Sequence, residues 1–158
     1  DFDKYDYASP VHAAAHRAYV NITHVMNAAG VCMFGVSSFG YKVLLDQLRA
    51  VTGWNDMTEE DFLRMGERIA VIRHAFNLRE GQNPLLRNVP GRLVGDPPLA
   101  EGPLKGVTVD YKAQIREYLK LVDWDLKTTI PSEAALRALG LEDLIPDMKK
   151  AVVPPASL

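Results

Sequence analysis

This sequence predicts an all-α fold, an irregular multi-helix domain with one long Pro/Gly-rich loop, on three observations. Apolar residues recur at three- and four-residue steps between breakers. Glycine and proline punctuate the chain at helix-length intervals. No stretch alternates convincingly with the period of two of a half-buried strand, and no internal repeat is visible. The chain has 158 residues, 47% of them apolar and 24% charged, the balance of a globular domain long enough to bury a core. Eighteen basic and 20 acidic side chains give a net charge of −2 with no basic cluster, which argues against nucleic acid or an anionic membrane as partner. No apolar run approaches the roughly 20 residues needed to span a bilayer. A single cysteine fits a reducing compartment, so the expected location is cytoplasmic. The chain opens at Asp1 without an initiator methionine, inside what reads as a structured segment. Residues 1–158 are therefore expected to be the C-terminal helical domain of a longer protein.

Each element has its own signal. Ser9-Pro10 reads as an N-cap followed by proline at the first helical position, where its missing N–H is harmless. From Val11 to about Ala28 no breaker occurs, and Gly30 marks the end. A second helix is expected from about Phe39 to Thr52, with Ser37 or Ser38 as its cap. Val43, Leu44, Leu48 and Val51 lie on one face, and Gly53 closes it. In the third, Thr58 precedes Glu59, Glu60 and Asp61, a cap and three acids at the positive end of a helix dipole. Phe62, Met65, Ile69, Ile72 and Phe76 form the expected buried stripe, Arg73 and Arg79 fall towards the C-terminal end, and Gly81 stops it.

From Gln82 to about Val107 periodicity vanishes among five prolines and four glycines. The apolar content (Leu85, Leu86, Val89, Leu93, Val94, Leu99, Leu104) is too high for a solvated linker, so the loop is expected to lie pinned against the rest of the protein. Helices follow over about Val109–Val122 and Ser132–Leu139, the latter capped by Ser132 and ended by Gly140. Ala151–Leu158, with two prolines, is expected to fray. Trp54 and Trp124 each follow a helix end and are expected to bury apolar area there.

The chemistry-bearing residues are sparse. Cys32 sits just past the glycine that ends the first helix. One cysteine cannot form a disulfide, nor hold zinc or an iron–sulfur cluster without partners from elsewhere. Its two readings are a small buried side chain at a helix end, or a thiolate poised for metal or redox work. His12 and His16, four apart, share a helix face as two metal ligands must, but lack the glutamate of a metalloprotease motif. His24 and His74 have no supporting spacing. Neither Ser37 nor Ser38 has a nucleophile-elbow context. Glu59, Glu60 and Asp61 read as a solvated first turn in preference to paired catalytic carboxylates. No catalytic residue is named.

Several segments, in order, resemble the C-terminal domain of the tungsten-containing aldehyde ferredoxin oxidoreductase family. Asn27-Ala28-Ala29-Gly30-Val31-Cys32-Met33-Phe34 is similar to its Asp-x-x-Gly-x-Cys-x-Phe segment. Ile72-Arg73-His74-Ala75-Phe76-Asn77-Leu78-Arg79-Glu80-Gly81 resembles its Arg-x-Phe-Asn-x-Arg-Glu-Gly, with one extra residue after the first arginine. Pro90-Gly91-Arg92 with Pro97 through Gly106, then Glu117-Tyr118-Leu119 to Trp124-Asp125, Ile130-Pro131-Ser132 and Leu139-Gly140-Leu141, look like its proline-rich and closing regions. The resemblance covers roughly residues 20 to 142.

The resemblance implies an enzyme that oxidises small aldehydes to carboxylates and passes the electrons to ferredoxin. It implies a tungsten (or molybdenum) bis-pterin beside a [4Fe–4S] cluster. Carried over by position, Cys32 is the fourth cysteine ligand of that cluster, the other three belonging to upstream domains of the same protein. Val31 contacts a pterin through its backbone. Asn27 stands where the family has a pterin-binding aspartate, and Asp123 where glycine usually precedes tryptophan. Leu119 replaces the second of two tyrosines. The fragment alone is expected to be inactive, the loop Gln82–Val107 to wall off the substrate channel, and the full-length protein to be compatible with a homodimer. Two alternatives accompany this reading: a related enzyme reducing aromatic thioesters, and a non-catalytic helical interaction module with Cys32 in its core. Exposed apolar surface around Val31–Phe34 would favour the two enzyme readings.

Overall fold

A computed structural model describes residues 9–158, and their regular secondary structure is helical, with one isolated antiparallel bridge between Trp124 and Pro131. The expectation that the chain opens inside a structured segment concerns residues 1–8, which lie outside the described residues.

Two long helices form the spine. In α1 (Pro10–Ala28) the Ser9 hydroxyl accepts from the Val11 N–H and proline occupies the first turn, as its sequence predicts. In α4 (Glu59–Arg79) Thr58 and Asp61 form a reciprocal capping box. The helices meet at Gly66, where a Cβ would run into the backbone carbonyl of Asn21. A bidentate Arg17–Glu67 pair, 2.9 and 2.6 Å, fastens them nearby. The buried side of α4 differs from the expected stripe. Phe62, Gly66, Val71, Ala75 and Leu78 are buried, whereas Ile72 and Phe76 are exposed.

The reason is that α4 serves two separate cores. Its first turns join Val25, Met26, Val36, Leu44, Leu45, Met57 and Phe62. Its later turns join Val71, Ala75 and Leu78 to Leu136, Leu139, Leu141, Ile145, Met148 and Val153. A glycine at the helix contact displaces a larger side chain from the apolar stripe, so the heptad-like spacing in the sequence misses the register.

Between α1 and α4 the chain makes two helices where one is expected. The short α2 (Met33–Phe39) follows Cys32 directly, and Gly40, at φ +81°, turns it into α3 (Tyr41–Thr52). Ser37 and Ser38 therefore cap nothing; both hydroxyls donate to the Phe34 carbonyl at 2.9 Å in the last turns of α2. The face of α3 is also shifted, with Leu44 and Leu45 buried while Val43 and Val51 are exposed. Trp54 is exposed, contrary to expectation, whereas Trp124 packs against the second core.

The long loop holds a 3₁₀ turn at Pro84–Leu86 and the single-turn α5 (Gly91–Val94). It is not buried against these helices: Asn83 is its one buried residue, and Leu86, Leu93, Leu99 and Leu104 are exposed. Next come α6 (Tyr111–Leu121), capped by Asp110 and packed on α1, and α7 (Glu133–Ala138), capped by Ser132. An unanticipated α8 (Ile145–Lys150) follows, its Pro146 tolerated in the first turn. The tail beyond is irregular yet does not fray. Val153 and Ala156 are buried, and the Ala156 N–H donates to the Lys127 carbonyl at 2.9 Å.

Candidate metal and cofactor site

The end of α1 is a Schellman motif, and its geometry explains the spacing of Asn27, Val31 and Cys32. Gly30 takes φ +71°, its N–H donates to the Asn27 carbonyl at 3.2 Å, and the Val31 N–H reaches back to the Met26 carbonyl at 3.1 Å. Val31 packs against the core that contains Met26, the apolar contact that accompanies this cap. The chain thus reverses within one turn, and Cys32 emerges as the residue before α2, with Asn27 exposed in the last turn of α1.

Cys32 is exposed and makes no capping hydrogen bond to α2. The reading of it as a buried core residue is thereby excluded. Next to it in the chain Met33 and Phe34 are 49% and 76% exposed, whereas Val36 and Met26 are buried in the first core. Among the described residues no three His, Cys, Asp or Glu side chains converge as a metal group would require. A soft, exposed thiol without local co-ligands fits one corner of a cluster whose other thiolates come from elsewhere. With its N–H committed to Met26, Val31 has its carbonyl left to offer a ligand.

The remaining candidates have structural roles. Glu59 accepts from the Tyr41 hydroxyl at 2.8 Å and pairs with Lys42 at 3.0 Å, and those partners, Lys42 first, hold its carboxyl below the usual range. Hydrogen bonds from Thr58 do the same to Asp61. The acidic turn is thus a solvated cap. His74 stacks on Trp124 at 4.3 Å between centroids, and its Nε2 lies 3.0 Å from the Thr129 carbonyl. Burial lowers its pKa against that hydrogen bond. His24 is also lowered, by burial and then by Arg73, and its Nδ1 is buried without a hydrogen bond.

His12 and His16 share a face as expected, but what they face is aromatic. His16 meets Tyr118 edge-on at 5.3 Å, and burial lowers its pKa. Both histidines line a cavity of about 520 Å³ between α1 and α6, together with Tyr19, Tyr111 and Gln114. Two facing helical stripes, 12/16/19 and 111/115/118, carry its signal in the sequence, whereas the His12–His16 spacing alone reads as a metal pair.

The family described as aldehyde ferredoxin oxidoreductase, domains 2 and 3, matches residues 2–141. The tungsten-containing aldehyde ferredoxin oxidoreductase of Pyrococcus abyssi is 39% identical over 128 residues, 80% of this chain and 21% of its own length. The enzyme of that name from Pyrococcus furiosus is 35% identical over 125 residues, covering 79% and 20%. The one from Thermococcus kodakarensis is 34% identical over 128 residues. No solved structure matches significantly. The chain spans about a fifth of the length of these relatives. No described helix is long and apolar enough to cross a membrane. With the family match covering residues 2–141 of 158, the chain belongs to the aldehyde ferredoxin oxidoreductase family.

Proposed function

We propose that this chain is the C-terminal part of a longer aldehyde:ferredoxin oxidoreductase, and that Cys32 is its contribution to a [4Fe–4S] cluster. The observation that carries the reading is the exposed Cys32 at the Schellman turn, followed by exposed Met33 and Phe34, inside the family match. A tungsten (or molybdenum) bis-pterin with the cluster would supply the two-electron oxidation of an aldehyde to a carboxylate and the relay of electrons to ferredoxin. This chain's own residues hold and orient. The Gly30 turn sets Cys32 outward, where it would ligate the cluster, and the Val31 carbonyl would accept from a pterin N–H. Asn27 offers a neutral acceptor and a donor where an aspartate would offer a charged acceptor, so a pterin would be held more weakly here. Alone, the chain supplies one thiolate of four and is inactive.

One elemental analysis of full-length proteins purified without oxygen tests this. The parent should carry about four irons per chain plus tungsten or molybdenum. Cys32→Ala should lose most of the iron, and Asn27→Asp should retain more tungsten or molybdenum than the parent. A parent without these metals, when they were supplied during growth, sinks the reading. Iron unchanged in Cys32→Ala removes Cys32 from the cluster, and metal unchanged in Asn27→Asp removes the argument about Asn27.

A further inference from the structure

The loop between Pro90 and Val109 shows an unusual combination: it is ordered by its own backbone, yet it turns its leucines outward. The Val109 N–H donates to the Val94 carbonyl at 2.8 Å, Asp96 to Gly91 at 2.8 Å and Gly106 to Leu99 at 3.0 Å. Two close approaches lock the arrangement. A Cβ on Gly95, which sits at φ +73°, would strike the Val107 carbonyl, and one on Gly91 would strike the Asp96 carbonyl. Such a loop is shaped before anything binds it.

What it shapes is a cup of about 450 Å³ walled by Leu93, Pro97, Pro98, Leu99, Leu104 and Val107. Leu93 is 73% exposed, Leu99 52% and Leu104 56%. Clustered exposed leucines on a preorganised frame mark a contact surface. The helices described here do not cover it, since no residue from Pro90 to Val109 is buried.

We infer that this cup is a docking site for the preceding part of the same polypeptide, an apolar segment of the cofactor-bearing domains seated among Leu93, Leu99 and Leu104. The inference rests on the reading of the chain as part of a longer oxidoreductase. Relatives carry about four fifths of their length outside the matched region, and a tethered body of that size is present at high effective concentration. The chemistry fits a permanent contact. Transient redox partners meet through small interfaces and must part after each transfer, whereas an apolar cup on a preordered frame resembles one side of a permanent, core-like interface. Its charged lining is balanced, with Arg92 and Asp96 together, and offers no single-sign field to steer a ferredoxin.

The test is a photo-reactive phenylalanine analogue placed at Leu99 of the full-length protein, irradiated, digested and mapped by mass spectrometry. The expected product has the mass of one chain and joins the loop to a peptide from before residue 1. A product of doubled mass, a cross-link confined to residues 9–158, or solvent-quenched analogue with no cross-link would each overturn the inference. Metal analysis of the same sample keeps the two ideas apart. Cross-linking without iron or tungsten sinks the catalytic reading alone, and a metal-loaded protein without the cross-link sinks the docking site alone.

Discussion

Asp123 holds φ at +55°, a left-handed conformation that glycine adopts freely and most L-residues adopt at a cost of roughly 1–2 kcal/mol. The need arises because α6 ends here in another Schellman turn. The Asp123 N–H donates to Lys120 at 3.2 Å, and the Trp124 N–H reaches back to Leu119 at 2.9 Å. This is the position where the family resemblance places glycine, and aspartate keeps the turn with two aids. Its short polar side chain tolerates the conformation, and the Ser132 hydroxyl donates to its carboxylate. Asp123→Gly is expected to stay within about 1 kcal/mol of the parent, relief of strain offsetting lost contacts and added unfolded-state entropy. Asp123→Val, a β-branched residue forced into the same turn, is expected to lose about 2–3 kcal/mol. Denaturant unfolding of the two variants checks this, and equal stability would mean the turn readjusts. Leu119, where the family resemblance places a tyrosine, is buried in α6, an apolar side chain that avoids burying a hydroxyl.

At the scale of elements, Gly66 decides how closely α1 and α4 approach. Gly66→Ala puts a methyl where the Asn21 carbonyl already stands, and both atoms belong to rigid helix interiors, so the helices must separate. The gain in helix propensity, about 1 kcal/mol, should be outweighed by overpacking and by loosening of the Arg17–Glu67 pair, for a net loss of about 2 kcal/mol. Thermal unfolding reads the effect, and an unchanged or raised Tm would refute the close contact. The same glycine shows why caps were legible in the sequence and registers were not. Ser9-Pro10, Thr58 with Asp61, Ser132 and the glycines at 30, 81 and 140 act through local backbone bonds, which a few neighbouring residues specify. Which apolar residues of α3 and α4 face inward depends on partners far along the chain, and Gly66 packs without being counted as apolar. The short α2 and α8 leave little local signal, because Cys32 gives no side-chain cap and Pro146 reads as a breaker although it sits in a first turn. At the candidate site, the Schellman turn could have been read from Gly30 followed by Val31; the exposure of Cys32 depended on how α2 and α3 fold back, which no local pattern contains.

At the scale of the whole molecule, three segments distant in sequence are joined at one side chain. The Asn83 amide donates to the carbonyls of Lys127 and Pro154, both at 2.7 Å, while its oxygen accepts from the Leu85 N–H at 2.9 Å. The start of the long loop, the turn after α6 and the C-terminal tail are thereby tied together beside the second core, which explains a tail that packs in place of fraying. Asn83 is 5% exposed, so its removal leaves the Pro154 carbonyl and the Leu85 N–H with little access to water, and leaves the Lys127 carbonyl with the Ala156 N–H alone. Asn83→Ala is expected to cost about 2–3 kcal/mol, the desolvation penalty of groups left unpaired. Its signature should be regional. Hydrogen exchange should accelerate at the Ala156 N–H, which donates to Lys127, and through residues 123–132, while α1 and the Gly30–Cys32 turn exchange at the parent's rate. Uniform acceleration would show that the two cores unfold as one unit, and no acceleration at Ala156 would show that buried Val153 and Ala156 alone hold the tail. The regional outcome would leave the Cys32 end intact while the far end loosens, as expected of a domain whose spine helix feeds two cores.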